Sequence, residues 1–168
     1  MAQPTGSHPD ATAPDAGTIA LGDEAATAAF AARLAPLLRP GDVVALTGEL
    51  GAGKTSFARS LLRALGQEGE VPSPTFTLVQ IYETAAGPLW HVDLYRLAGP
   101  DEALELGIEE AFAEAIVLIE WPERLGALLP ADRLELRIDF AGGDARRVAI
   151  AGQGGWRDRA RRLATNAT

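Results

Sequence analysis

The sequence predicts one α/β domain, a three-layer sandwich with a mostly parallel central sheet and antiparallel C-terminal strands. Three observations predict it. Val43 to Leu46 and Ile116 to Ile119 are short, continuous apolar runs, the signature of strands buried on both faces. A glycine-rich loop follows the first run directly, and a helical pattern follows the loop. Near the end, Leu134, Leu136 and Ile138 alternate with Glu135, Arg137 and Asp139, the period of a strand with one wet face.

The elements follow in chain order. Residues 1–16, rich in Pro, Ala, Asp, Thr and Gly, have no hydrophobic period and read as a disordered leader. Residues 17–152 carry the domain. A short apolar run ends at Leu21, and Asp23 can cap a helix in which Phe30, Leu34, Leu37 and Leu38 recur near helical spacing until Pro40-Gly41 stops it. The strand Val43 to Leu46 comes next, then a helix from about Thr55 to Leu65, ended by Gly66. Extended segments are expected at Phe76 to Tyr82, Leu89 to Val92 and Ile116 to Ile119, with acidic helical pieces between the last two. Val148 and Ile150 can pair with the alternating strand through a turn at Gly142-Gly143. Residues 153–168, with four Arg and one Asp, read as a basic flexible tail.

Composition narrows the chemistry. The 168 residues include no cysteine, which removes disulfide frameworks, thiolate metal sites and cysteine nucleophiles. No apolar run approaches the roughly 18 residues of a membrane span, and the first residues lack the pattern of a signal peptide, so a cytoplasmic protein is expected. A net charge of −8 argues against broad, unaided nucleic-acid binding.

Gly48-Glu49-Leu50-Gly51-Ala52-Gly53-Lys54-Thr55 fits the phosphate-loop (Walker A) pattern of two glycines, then Lys and Ser or Thr. Phosphate requires converging backbone N–H groups at a helix N-terminus, and glycines let the chain wrap closely enough to supply them. Lys54 places a cation at the β and γ phosphates, and Thr55 offers a hydroxyl to magnesium. Glu49, Leu50, Gly51, Ala52, Gly53, Lys54, Thr55 and Ser56 are therefore the candidate nucleotide-binding run. Given this composition, a lysine meets the pattern by chance about once in a thousand. Lys54 is the only lysine in the chain. None is left for the Asn-Lys-x-Asp segment of common small GTPases, so ATP is the expected nucleotide and a P-loop NTPase the expected fold.

Two apolar runs end in acids, Leu89 to Val92 in Asp93 and Ile116 to Ile119 in Glu120. Ligands of open α/β sheets sit outside the carboxyl ends of strands, so both carboxylates are candidates, one supporting magnesium and one orienting an attacking water. Lys54, Asp93 and Glu120 form the candidate catalytic set. His91 reads as a core histidine, since no partner is evident in sequence. In Pro72-Ser73-Pro74-Thr75-Phe76 the prolines favour extended geometry, and Ser73 and Thr75 could sense the γ-phosphate as a switch loop; the plain alternative is a proline-stiffened connection. Asp101 to Glu123 holds eight acidic residues and no basic one, read as a solvated face with an acidic docking surface as the alternative.

Together these elements resemble the TsaE family, bacterial P-loop ATPases required for threonylcarbamoyladenosine modification of tRNA. The resemblance runs from about Thr18 to Ile138. It rests on Gly41-Asp42, the loop Gly48 to Thr55, Ser73-Pro74-Thr75-Phe76, His91-Val92-Asp93-Leu94-Tyr95-Arg96 and Ile119-Glu120-Trp121-Pro122, in that order. It implies ATP on the loop, Mg2+ at Thr55 and Glu120, a sensing role for Ser73 and Thr75, and a place near the base for Thr27. It also implies the partners TsaB and TsaD, with tRNA met only within that complex, and an ATPase whose turnover resets the transfer machinery. Because no motif places an arginine finger, slow turnover by the isolated chain is expected, and no membrane association is expected without an apolar span. Two alternatives remain open at this level, a P-loop small-molecule kinase and an ATP-dependent docking module without hydrolysis. Against the kinase, Arg96 is the only Lys or Arg between Glu68 and Glu123, so an Arg-rich lid is missing.

Overall fold

The computed structural model describes residues 15–165. Seven strands form one sheet: β1 (Asp15–Leu21), β2 (Val43–Thr47), β3 (Val79–Thr84), β4 (Gly87–Asp93), β5 (Ile116–Glu120), β6 (Arg133–Phe140) and β7 (Arg146–Gln153). Their spatial order is β1-β7-β6-β2-β5-β4-β3. The four central strands β6, β2, β5 and β4 run parallel, while β1/β7, β6/β7 and β3/β4 pair antiparallel. The sheet is therefore mixed rather than mostly parallel, and antiparallel strands close both edges rather than the C-terminal one alone. The cause lies in connection length, because hairpins of two to five residues at 85–86 and 141–145 can only reverse the chain.

Helices cover both faces. On one lie α1 (Glu24–Leu34), α2 (Lys54–Ala64) and α5 (Arg157–Thr165); on the other lie α3 (Pro100–Glu105) and α4 (Ile108–Glu114). Alternation along the buried strands divides the core between them. Val44, Leu46, Ile116 and Leu118 pack with Phe30, Phe57 and Leu61, whereas Val43, Val117 and Ile119 pack with Ala103, Ile108 and Leu125. Phe30 and Phe57, with ring centroids 5.7 Å apart, join α1 to α2. The Asp23 carboxylate accepts from Ala26 N at 2.8 Å and caps α1.

Several boundaries differ from the sequence reading. The first helix, expected to run to Pro40-Gly41, is α-helical only to Leu34 and tightens into a 3-10 turn over Ala35–Leu37. The segment after Pro74 is a turn closed by Leu78 N donating to Pro74 O at 2.7 Å, with Leu78 at φ 66, so the strand starts at Val79 and not at Phe76. The basic segment at the C-terminal end is not a flexible tail where it is described. There α5 packs on β1 and β7, burying Ala160 and Leu163 behind a buried Trp156. Arg159 is buried as well, bidentate to Asp42 at 2.7 and 2.9 Å, donating to Leu37 O at 2.8 Å and stacked 3.8 Å from the Trp156 ring centroid. Basic residues look like a solvated tail in composition, but this one has a carboxylate waiting at the start of β2. The expected disorder of residues 1–14 lies outside the described residues, and Asp15 and Ala16 belong to β1. No helix among the described residues is long and apolar enough to cross a membrane.

Candidate functional site

The central strands β2, β4 and β5 end side by side, and the candidate residues gather where they end. β2 runs into the loop 48–53, and α2 begins at Lys54. Gly48 is required twice over: its φ is 141, and a Cβ there would lie 2.3 Å from the Ile138 carbonyl oxygen of β6. Gly53, at φ 112, turns the chain into α2. Lys54 Nζ donates to Gly48 O at 2.6 Å and Glu49 O at 3.0 Å and lies 4.2 Å from the Trp121 ring centroid. Burial pulls the Lys54 ammonium below its ordinary range, opposed by the charges of Glu120, Glu123 and Asp93.

Parallel register sets Asp93 of β4 opposite Glu120 of β5. The two buried carboxylates then make different bonds. Glu120 Oε1 accepts from Thr55 Oγ1 at 2.8 Å, and its Oε2 lies 2.8 Å from His91 Nε2. Asp93 Oδ1 accepts from Tyr95 N at 3.0 Å, and Oδ2 from Thr75 Oγ1 at 3.3 Å; Thr75 in turn bonds Ser73 Oγ at 2.7 Å. Burial chiefly pushes the Asp93 carboxyl up, reinforced by the Glu120 charge and opposed by the Tyr95 and Thr75 bonds and by His91.

A cavity of about 210 Å³ is lined by Leu50, Gly51, Gly53, Lys54, Thr55, Ser56, Thr75, Asp93, Tyr95, Glu120 and Trp121. A second, of about 470 Å³, adjoins it through the shared residues Gly53 and Ser56; Leu21, Asp23, Thr27, Phe57, Ile138, Asp144 and Arg146 are among its walls. Nearly all the sequence-nominated residues thus fall on one of two joined cavities. Ser73 stands behind Thr75, Ala52 is buried, and Glu49 borders a separate recess beside Phe140. Arg96 lines neither cavity, and its guanidinium stacks 4.5 Å from the exposed Phe76 ring.

A family model described as threonylcarbamoyl adenosine biosynthesis protein TsaE matches residues 21–148. The chain belongs to the TsaE family. Relatives named tRNA threonylcarbamoyladenosine biosynthesis protein TsaE include one from Streptomyces coelicolor, 45% identical over 129 residues, covering 73% of this chain and 87% of that protein. One from Bacillus subtilis is 40% identical over 129 residues, covering 76% and 80%. A crystal structure of Bacillus subtilis YdiB superposes with a TM-score of 0.72 at 30% identity, covering 90% of this chain and 95% of that one. Membership places this TsaE chain in tRNA threonylcarbamoyladenosine biosynthesis.

Two further residues meet the candidate site that the sequence reading did not nominate for it. His91, read as a core histidine, is fully buried as expected; its Nε2 lies on Glu120, while its Nδ1 has no partner among the described residues. The available signal was its position two residues before Asp93, which puts both side chains on one face of β4. Arg146 opens β7 and reaches back to the loop, donating from Nε to Ala52 O at 2.8 Å across 94 positions. Nothing local in the sequence signals that bond.

Proposed function

We propose that this TsaE chain binds ATP with magnesium in the two joined cavities and hydrolyses it, working in the cytoplasm with TsaB and TsaD to reset threonylcarbamoyl transfer to tRNA. The observation that carries the reading is the Lys54–Thr55–Glu120 arrangement: a loop lysine beside a hydroxyl that is hydrogen-bonded to a strand-end carboxylate. The donor set suits magnesium. Thr55, Glu120 and Asp93 offer hard oxygen atoms, and among the described residues no group of three or more His, Cys, Asp or Glu is arranged to hold a metal alone. That is the setting of an ion held by one or two protein oxygens, water and substrate phosphates. When bound, magnesium would neutralise charge developing between the β and γ phosphates.

The chain's residues divide the work as follows. The N–H groups of the loop and the start of α2 bind phosphate, and Lys54 supplies a point charge, with the carboxylates of Glu120, Glu123 and Asp93 opposing the effect of its burial. Thr55 and Glu120 are the residues that would hold the metal, with His91 fixing the Glu120 carboxylate from behind. Asp93 is tied to the Ser73–Thr75 loop, which supports a role in sensing the γ-phosphate and orienting water. The larger cavity, walled by Thr27 and Phe57, has room for the nucleoside.

The deciding experiment is ATP hydrolysis with magnesium by the purified chain, alone and with TsaB and TsaD, wild type beside Lys54→Ala. The expected result is slow turnover alone, stimulation by the partners, and loss of both in the variant. Rapid hydrolysis without partners would refute partner dependence, and phosphate transfer to a small acceptor would replace the reading with a kinase.

A further inference from the structure

The hairpin of β6 and β7 holds the phosphate loop from outside. Arg146 pairs with Phe140 across the hairpin and with Leu21 on its other side, which sets its side chain among three strands at the site end of the sheet. Its guanidinium is anchored within the hairpin, with Nη1 donating to Ala145 O at 3.0 Å and Gly143 O at 3.2 Å and the Phe140 ring centroid 4.6 Å away. From that anchorage Nε donates to Ala52 O, and the same side chain forms part of the wall of the larger cavity beside Gly53 and Ser56.

The bond fixes more than one atom. All peptides described are trans, so the Ala52 oxygen and the Gly53 N–H point in opposite directions within one rigid plane. Holding the oxygen toward Arg146 turns the Gly53 N–H away from the hairpin. Gly53 benefits from such a hold, since at φ 112 its backbone has freedom that only glycine offers. Ala52, fully buried, has a second restraint through its own N–H to Glu49 O at 3.0 Å.

From this geometry we infer that Arg146 is a positioning residue for the phosphate loop: acting through the Ala52 carbonyl, its Nε–H sets the Ala52–Gly53 peptide in the orientation that receives phosphate. The inference rests on the loop being a phosphate site, and its test separates the two. Glutamine carries a donor at the same distance along the side chain as Arg Nε, without the charge, whereas methionine has similar length and no donor. The full chain is compared as wild type, Arg146→Gln and Arg146→Met by hydrogen exchange of the amides of residues 49–55 without ligand, and by calorimetric binding of inorganic tripolyphosphate and ATP with magnesium.

The expected result is faster loop exchange in Arg146→Met, with about tenfold weaker binding of both tripolyphosphate and ATP, the scale of one lost hydrogen bond, and values within about threefold of wild type in Arg146→Gln. Unchanged exchange in the methionine variant overturns the inference. So does equal loss in both variants, which would assign the effect to charge, or loss of ATP binding with tripolyphosphate binding intact, which would assign it to the nucleoside. A wild-type chain that binds neither ligand refutes the phosphate site itself, while exchange still reports whether Arg146 holds the loop.

Discussion

Arg159→Met asks how much the C-terminal helix contributes to the fold. Both partners of the Asp42–Arg159 pair are less than a tenth exposed, at 7% and 8%, and the pair is bidentate. Methionine keeps much of the contact with Trp156 but leaves the Asp42 carboxylate buried, with the Arg39 N–H at 2.9 Å as its remaining partner. Removing one member of a buried pair costs about 3–5 kcal/mol, and the surviving N–H bond argues for the lower end, about 3 kcal/mol. For a domain of this size that lowers Tm by about 6–12 °C. The assay is thermal unfolding followed by circular dichroism at neutral pH, with nucleotide affinity measured beside it. Asp42 lies at the opposite end of β2 from the loop, so affinity measured well below Tm should not change. The double variant Asp42→Asn/Arg159→Met should lose less stability than Arg159→Met alone, since no orphan charge remains. A Tm within about 2 °C of wild type for Arg159→Met would refute the reasoning.

Three further outcomes are expected. Gly48→Ala should displace the loop from β6, because its Cβ would meet the Ile138 carbonyl, and tripolyphosphate binding should fall more than tenfold; unchanged affinity would contradict the packing described. His91→Leu should weaken magnesium-dependent nucleotide binding by about 10- to 100-fold in a metal titration while changing metal-free binding less, and an unaltered metal midpoint would remove His91 from the site. Asp93 carries a raised pKa, so the folded state holds an extra proton between the unfolded and folded values; the cost of its charged form is absent below the unfolded value and complete above the raised one. Asp93→Asn should therefore raise Tm at pH about 7, leave it unchanged at pH about 3, and impair turnover; a lower Tm at neutral pH would show that its hydrogen bonds outweigh its burial.

Local signals made half of this protein legible. Buried strands β2 and β5 followed from unbroken apolar runs, and the Asp23 cap and loop glycines from residue chemistry that acts within a few positions. Asp93 and Glu120 could be nominated because each directly ends an apolar run, yet the division between them was not readable: it depends on which neighbour, Thr55 or Thr75, each carboxylate meets. The sheet's mixed character escaped for two reasons: the β3/β4 reversal rests on a two-residue connection at 85–86 that was not read as a hairpin, and β1 pairs with β7 across most of the chain, a partner no local pattern encodes. The same holds for Arg159 and Arg146. Both look like surface cations in sequence, and both owe their roles to an acceptor contributed by a remote segment, Asp42 in one case and the Ala52 carbonyl in the other.

The strand order carries a consequence for the nascent chain. β2, which runs into the glycine-rich loop, lies between β5 and β6, and among the described residues the edge strand β1 pairs only with β7, so the earliest strands to leave the ribosome await the latest. At about 5–20 residues per second, roughly 6 to 26 s separate synthesis of β1 from that of β7. Throughout that interval Val43 to Thr47, the most apolar part of the loop's support, has no sheet neighbour until β5 emerges and no second one until β6 follows. Folding of this domain is thus a late event in its own translation, and chaperone contact should concentrate on chains stalled before Arg133.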